Sequence, residues 1–197
     1  MSAGQAVSVS QTGEELEVML RELAAVGREA QEVFGRLSAA QLNWKPSAEQ
    51  WSVGQCFDHL IVTNRTFFAD MERVAAGTYK GSLWARVSPL SGFFGRYILS
   101  ALDPEKGRTI KAPGAFLPAS SDVDAGVIGR FVENLSEVAA RMRATGGADL
   151  GRVVVTSPAM ALVTYSLLDV YRIFVAHARK HFEQARRVTE AAGFPGA

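Results

Sequence analysis

His177 and His181 stand four positions apart in a stretch, 166–192, whose apolar residues recur at helical spacing. Two imidazoles so placed share one face of a helix about one turn apart, the spacing of a helical metal-binding pair. Imidazole nitrogen ligates zinc, nickel, iron and similar divalent ions, and a third histidine from another helix would leave a coordination position open for chemistry. His59 is the one remaining histidine in 197 residues, and it falls on a second helical stretch. Two readings fit this pattern: a three-histidine metal site, or imidazoles that are solvated or hydrogen-bonded for structural reasons. His177 is followed by Ala178, so the His-Glu-x-x-His arrangement, in which the glutamate serves as general base, is absent.

Other side chains fall near the histidines by helical spacing. Gln55 lies four before His59 and Gln184 three after His181, where each could orient a ligand or bound water by a hydrogen bond, or simply face solvent. Cys56 precedes His59 by three positions; it reads as a small apolar residue on a buried stripe rather than as a soft ligand. No residue is singled out as a catalytic acid, base or nucleophile, and there is no G-x-S-x-G elbow or phosphate-binding glycine loop.

The elements that must position these side chains are helices. Leu16, Met19, Leu20, Leu23, Val26, Ala30 and Phe34 recur at steps of three and four, with Thr12-Gly13-Glu14-Glu15 as a start signal and residues 1–11 as a loose tail. After a linking stretch, 37–46, Ser52-Val53-Gly54-Gln55 forms a capping box, and a stripe from Val53 to Val74 predicts a second helix ending at Gly77. Four prolines interrupt residues 78–121, which read as a long crossover holding one or two short helices around Trp84 and Phe94. A third helix opens at Ser121-Asp122-Val123-Asp124 and stops at Gly146-Gly147. Val153, Val154 and Val155 predict a brief extended piece, and the last helix starts near Ser166. The expected fold is all-α: a single domain over 12–194, a four-helix bundle with the crossover between helices 2 and 3.

Composition narrows the function. The chain has 48% hydrophobic and 21% charged residues with a net charge of +1, so no overall field gathers phosphate backbone and general nucleic-acid binding is disfavoured. The longest apolar run, 159–168, is too short for the roughly 18 residues that span a bilayer. A single cysteine and a start without the basic and apolar regions of a signal peptide predict a cytoplasmic protein. Between Tyr79 and Lys111, however, six basic residues face two acidic ones, a local excess that suits a solvated face, a pocket for an anionic small molecule, or an acidic membrane surface.

Three segments together carry a family resemblance: Leu42-Asn43-Trp44-Lys45-Pro46, then Trp51-Ser52-Val53-Gly54-Gln55-Cys56-Phe57-Asp58-His59-Leu60, and His177-Ala178-Arg179-Lys180-His181 continuing to Val188. The chain resembles the DinB-like (DinB/YfiT) superfamily of metal-binding four-helix-bundle proteins, in the branch with a basic, proline-bearing crossover, here Lys111 to Pro118. The resemblance implies a divalent metal, zinc or nickel foremost with iron or manganese as further candidates, held by His59, His177 and His181. It also implies a small-molecule substrate, transfer of a low-molecular-weight thiol, and homodimerisation. Metal-dependent hydrolysis and a non-catalytic, stress-associated metal-binding module are the alternative expectations.

Overall fold

The computed structural model describes residues 3–87, 91–102 and 122–196, with side chains from Thr12 onward and as far as Ala85 in the first segment. The expected basic crossover segment Lys111 to Pro118 lies outside the described residues. The fold is mostly helical, with one small two-stranded sheet.

Helix α1 (Ala3–Phe34) buries Leu16, Met19, Leu20, Leu23, Val26, Ala30 and Phe34, the stripe that its spacing predicts. It runs through Thr12, where a helix start was expected. No proline interrupts residues 3–12, and glycines such as Gly4 and Gly13 cost about 1 kcal/mol each, too little to stop a helix of this length. The linking stretch contains a further element, α2 (Ala39–Asn43), opened by a capping box between Ser38 and Gln41. Leu42 is buried, Trp44 packs edge-on against Phe194, and Asn43 pairs with Val123 through both side-chain atoms, at 2.8 Å to its carbonyl and 2.7 Å from its amide. The Leu-Asn-Trp run therefore joins α2 to two distant parts of the chain.

The second long helix is divided. Helix α3 (Val53–Arg65) starts at the expected Ser52–Gln55 capping box, and α4 (Phe68–Ala75) ends before Gly77, which takes the left-handed conformation that glycine tolerates. Between them Thr66 and Phe67 close three-residue turns onto Thr63 and Asn64, and the Thr66 hydroxyl donates to the Thr63 carbonyl at 2.6 Å. A side-chain bond of this kind competes with the helix ladder and breaks it locally. At its start α3 fits closely: a Cβ on Gly54 would lie 3.0 Å from the Leu42 carbonyl oxygen and 3.1 Å from Val123.

Two short helices, α5 (Leu83–Val87) and α6 (Ser91–Leu102), occupy the first part of the long connection. Helix α6 lies on the last helix through Gly95, where an added Cβ would meet the Asp169 carboxylate at 2.5 Å. Helix α7 (Val127–Ala144) starts six residues after the expected Ser121. Asp124 turns its side chain to the Gly126 amide and to Arg130, and Val123 is held by Asn43, so 122–126 is an anchored turn rather than a first helical turn. The valine run forms β1 (Val154–Thr156), paired antiparallel with β2 (Thr164–Ser166), a strand the sequence reading missed. Helix α8 (Leu167–Thr189) is capped by Ser166, whose hydroxyl accepts from the Asp169 amide at 3.0 Å.

Helices α1 and α3 each pack against both α7 and α8, and the core formed between them is apolar: Phe34, Phe57, Phe131, Tyr171 and Phe174 are fully or almost fully buried. Tyr171 stays satisfied there because its hydroxyl meets Thr145 at 2.6 Å, while the Thr145 hydroxyl donates to the Met142 carbonyl. With the threonine proton so committed, the tyrosine is the donor. Tyr171→Phe removes one buried bond and is expected to cost about 1 kcal/mol, read as a fall in the denaturation midpoint with unchanged m-value.

Candidate metal centre

His59 sits in the middle of α3, a helix buried on nearly every side, and is only 3% exposed. His177 and His181 project from one face of α8 toward it, because α3 and α8 pack along each other. His181 is 8% exposed; His177 is half-buried as a residue, but its Nδ1 is sealed from solvent. One ligand nitrogen from each ring lies within 4.8 Å of the others, and His59 Nε2 stands 3.0 Å from His177 Nε2. Tetrahedral zinc with Zn–N bonds of about 2.05 Å would separate two such nitrogens by about 3.3 Å, close to that spacing.

Nδ1 of His177 and Nδ1 of His181 are buried with no hydrogen-bond partner, and on His177 this is the nitrogen opposite the Nε2 that faces His59. The donor set fits a divalent cation on a further ground: burial keeps two of the rings neutral. Burial, then the charges of His181, His59 and Lys180, hold His177 well below its ordinary range. Burial, then His59 and Lys180, push His181 down to about 3, against a hydrogen bond with Gln184 that works the other way. Neutral imidazole is the form that binds metal, so these lone pairs are available at neutral pH without displacing protons.

Of the two glutamines placed near the histidines by spacing, the structure brings Gln184 to His181. Gln55 has its Oε1 on the Ser52 amide at 3.2 Å, closing the helix cap. Cys56 is completely buried in the core, and burial pushes its thiol up to about 12. It should resist thiol-specific reagents in the folded protein and react within seconds once denatured; rapid labelling of the native chain would contradict its placement.

Trp51 is the site residue that spacing did not find. Its ring stacks on His181 with centroids 5.6 Å apart and an interplanar angle of 21°, and it leans on His59 at 4.8 Å. A signal was present, since Trp51 immediately precedes the Ser52 cap, where an apolar residue commonly packs back onto the first turn. Here it covers the imidazoles. Lys180, whose Nζ donates to the Ala101 carbonyl at 3.0 Å, ties α8 to α6 and sets a positive charge near two of the three rings.

No curated protein and no solved structure matches the chain. Its sequence does fit one family profile over residues 22–185, a span that holds all three histidines and Trp51. By that match, across most of its length, the chain belongs to the DinB superfamily.

Proposed function

We propose that the chain is a metal-dependent enzyme that transfers a low-molecular-weight thiol to an electrophilic small molecule. In this reading α1, α3 with α4, α7 and α8 are the four helices of a bundle, and 78–121 is the crossover between its second and third. The observation that carries the proposal is the trio of buried, converging imidazoles. A divalent cation, zinc or nickel, held by His59, His177 and His181 would supply Lewis acidity toward a thiol or water.

The chain's own residues do the rest. Desolvation keeps His177 and His181 unprotonated and ready to coordinate. Trp51 gives the site an apolar wall that suits a weakly polar electrophile. Lys180 supplies positive charge, which favours a donor thiol bearing carboxylates over a neutral one. Among the described residues the ligand cluster contains no carboxylate, so the donor set itself offers no base to activate water.

The test is a product assay on tag-free protein reloaded with zinc or nickel, with and without a small thiol, against an activated aryl halide. Conjugation that needs both metal and thiol is expected. Turnover of esters without thiol would assign hydrolysis instead, and bound metal with no turnover of either kind would assign a non-catalytic module.

A further inference from the structure

At the end of the molecule formed by α4, α5 and the β-hairpin, large apolar side chains stand in solvent. Leu83 is 81% exposed and Leu162 71%, with Met160 and Trp84 beside them in the chain also exposed. Two hydrogen bonds fasten this group into one patch. The Trp84 Nε1 donates to the Leu162 carbonyl at 3.0 Å, and the hydroxyls of Ser82 and Thr156 meet at 3.0 Å. The patch is built on a five-residue helix and on the 157–163 turn between β1 and β2.

Next to it, sharing Ser82 and Thr156, is an open pocket of about 430 Å³ whose polar lining includes Asp70, Arg73, Thr78 and Lys80. Asp70 is its only carboxylate and is paired with Arg73. Hydroxyls and cations of this kind are the partners a phosphate ester takes. The stretch that carries Lys80, Leu83 and Trp84, from Tyr79 to Lys111, has six basic residues against two acidic in its sequence, in a chain whose net charge is only +1.

We propose that this end of the molecule is a peripheral attachment site for an anionic phospholipid bilayer. The Leu83, Trp84, Met160 and Leu162 side chains enter the boundary between headgroups and acyl chains, and the pocket beside them receives a headgroup phosphate. Two observations favour a bilayer over a protein partner. Trp84 has its N–H satisfied within the chain, so its ring can enter the boundary without carrying an unpaired donor. Lys80 and Arg86 flank Leu83 and Trp84 in the sequence, and each basic side chain brought to an anionic surface strengthens binding about fivefold. The inference is independent of the metal chemistry, since none of these residues touches the imidazoles.

Flotation of the full chain with lipid vesicles tests it. On vesicles of phosphatidylcholine containing about one-third phosphatidylglycerol at low salt, binding is expected to exceed that on pure phosphatidylcholine by about tenfold or more. Leu83→Ser with Leu162→Ser should abolish it while helical circular dichroism is kept, and Lys80→Glu should weaken it about fivefold or more. Tryptophan emission should shift to the blue on anionic vesicles in the wild type and not in Trp84→Phe. Equal binding to both vesicles, or flotation unaffected by the double variant, overturns the proposal. So does saturable binding of glycerol phosphate without flotation, or a dimer that the double variant dissociates in the absence of lipid binding.

Discussion

Tag-free protein carrying His181→Ala should hold almost no divalent metal where the wild type holds close to one ion per chain. Loss of one of three imidazole ligands is expected to weaken binding by at least about a hundredfold, since losing even an outer hydrogen-bond partner of a ligand costs 10–100-fold. The helix should survive: alanine is the best helix former, and position 181 is at the edge of the core, against Trp51, where the vacated space opens toward the site. Elemental analysis beside circular dichroism reads both effects. His59→Ala and His177→Ala should behave the same way, because the three nitrogens form one cluster. Thiol conjugation should fall with the metal in all three. Undiminished metal in any of them would mean that the imidazoles are structural, and the catalytic proposal would lose its only reactive centre.

Acid should destabilise the metal-free protein steeply. In the unfolded chain His177 and His181 have ordinary imidazole pKa values near 6.5; in the folded chain burial holds His181 at about 3 and His177 well below its usual range. Between these limits the unfolded state binds more protons, so stability is full above about pH 6.5 and falls as the pH drops toward 3. Each imidazole that stays neutral costs about 2 kcal/mol by pH 5, and the pair about 4 kcal/mol, a large share of the roughly 5–15 kcal/mol of an ordinary protein. The melting temperature of the metal-free chain should therefore fall strongly between pH 7 and 5. The double variant His177→Gln, His181→Gln should show a much shallower profile, and added zinc should raise the melting temperature of the wild type at pH 7 but not that of the double variant. Parallel profiles for wild type and double variant would show that the two rings are not held neutral by the fold.

These expectations rest on features of unequal visibility in the sequence. The histidine trio was legible because four-residue spacing on a helix fixes a shared face, and the chain has no other histidines to confuse the count. Ser52 and Ser166 announced the starts of α3 and α8, because a cap acts within three residues. What escaped notice depends on partners far away in the chain. The 164–166 strand exists through pairing with 154–156, and nothing in Thr-Tyr-Ser alone requires it. The turn before α7 is held by Asn43, 80 positions earlier, and an aspartate that would ordinarily read as a helix start is used there to bind Arg130. The break between α3 and α4 lies inside an unbroken apolar stripe, so periodicity runs straight across it. Trp51 was hidden because which way the residue before a cap turns is settled by packing against another helix.

The clasp between Asn43 and Val123 has an implication for how such a chain can change. It fixes the point at which the long connection returns, where α2 meets the start of α3, while α6, earlier in that connection, is held on α8 through Gly95 and Lys180. Doubling the length of a tethered segment costs only about 0.6 kcal/mol in closure entropy. Descendants of this chain could therefore exchange the stretch between α6 and the clasp for longer, shorter or differently charged versions, acquiring new substrates or new locations while the same three histidines keep their geometry.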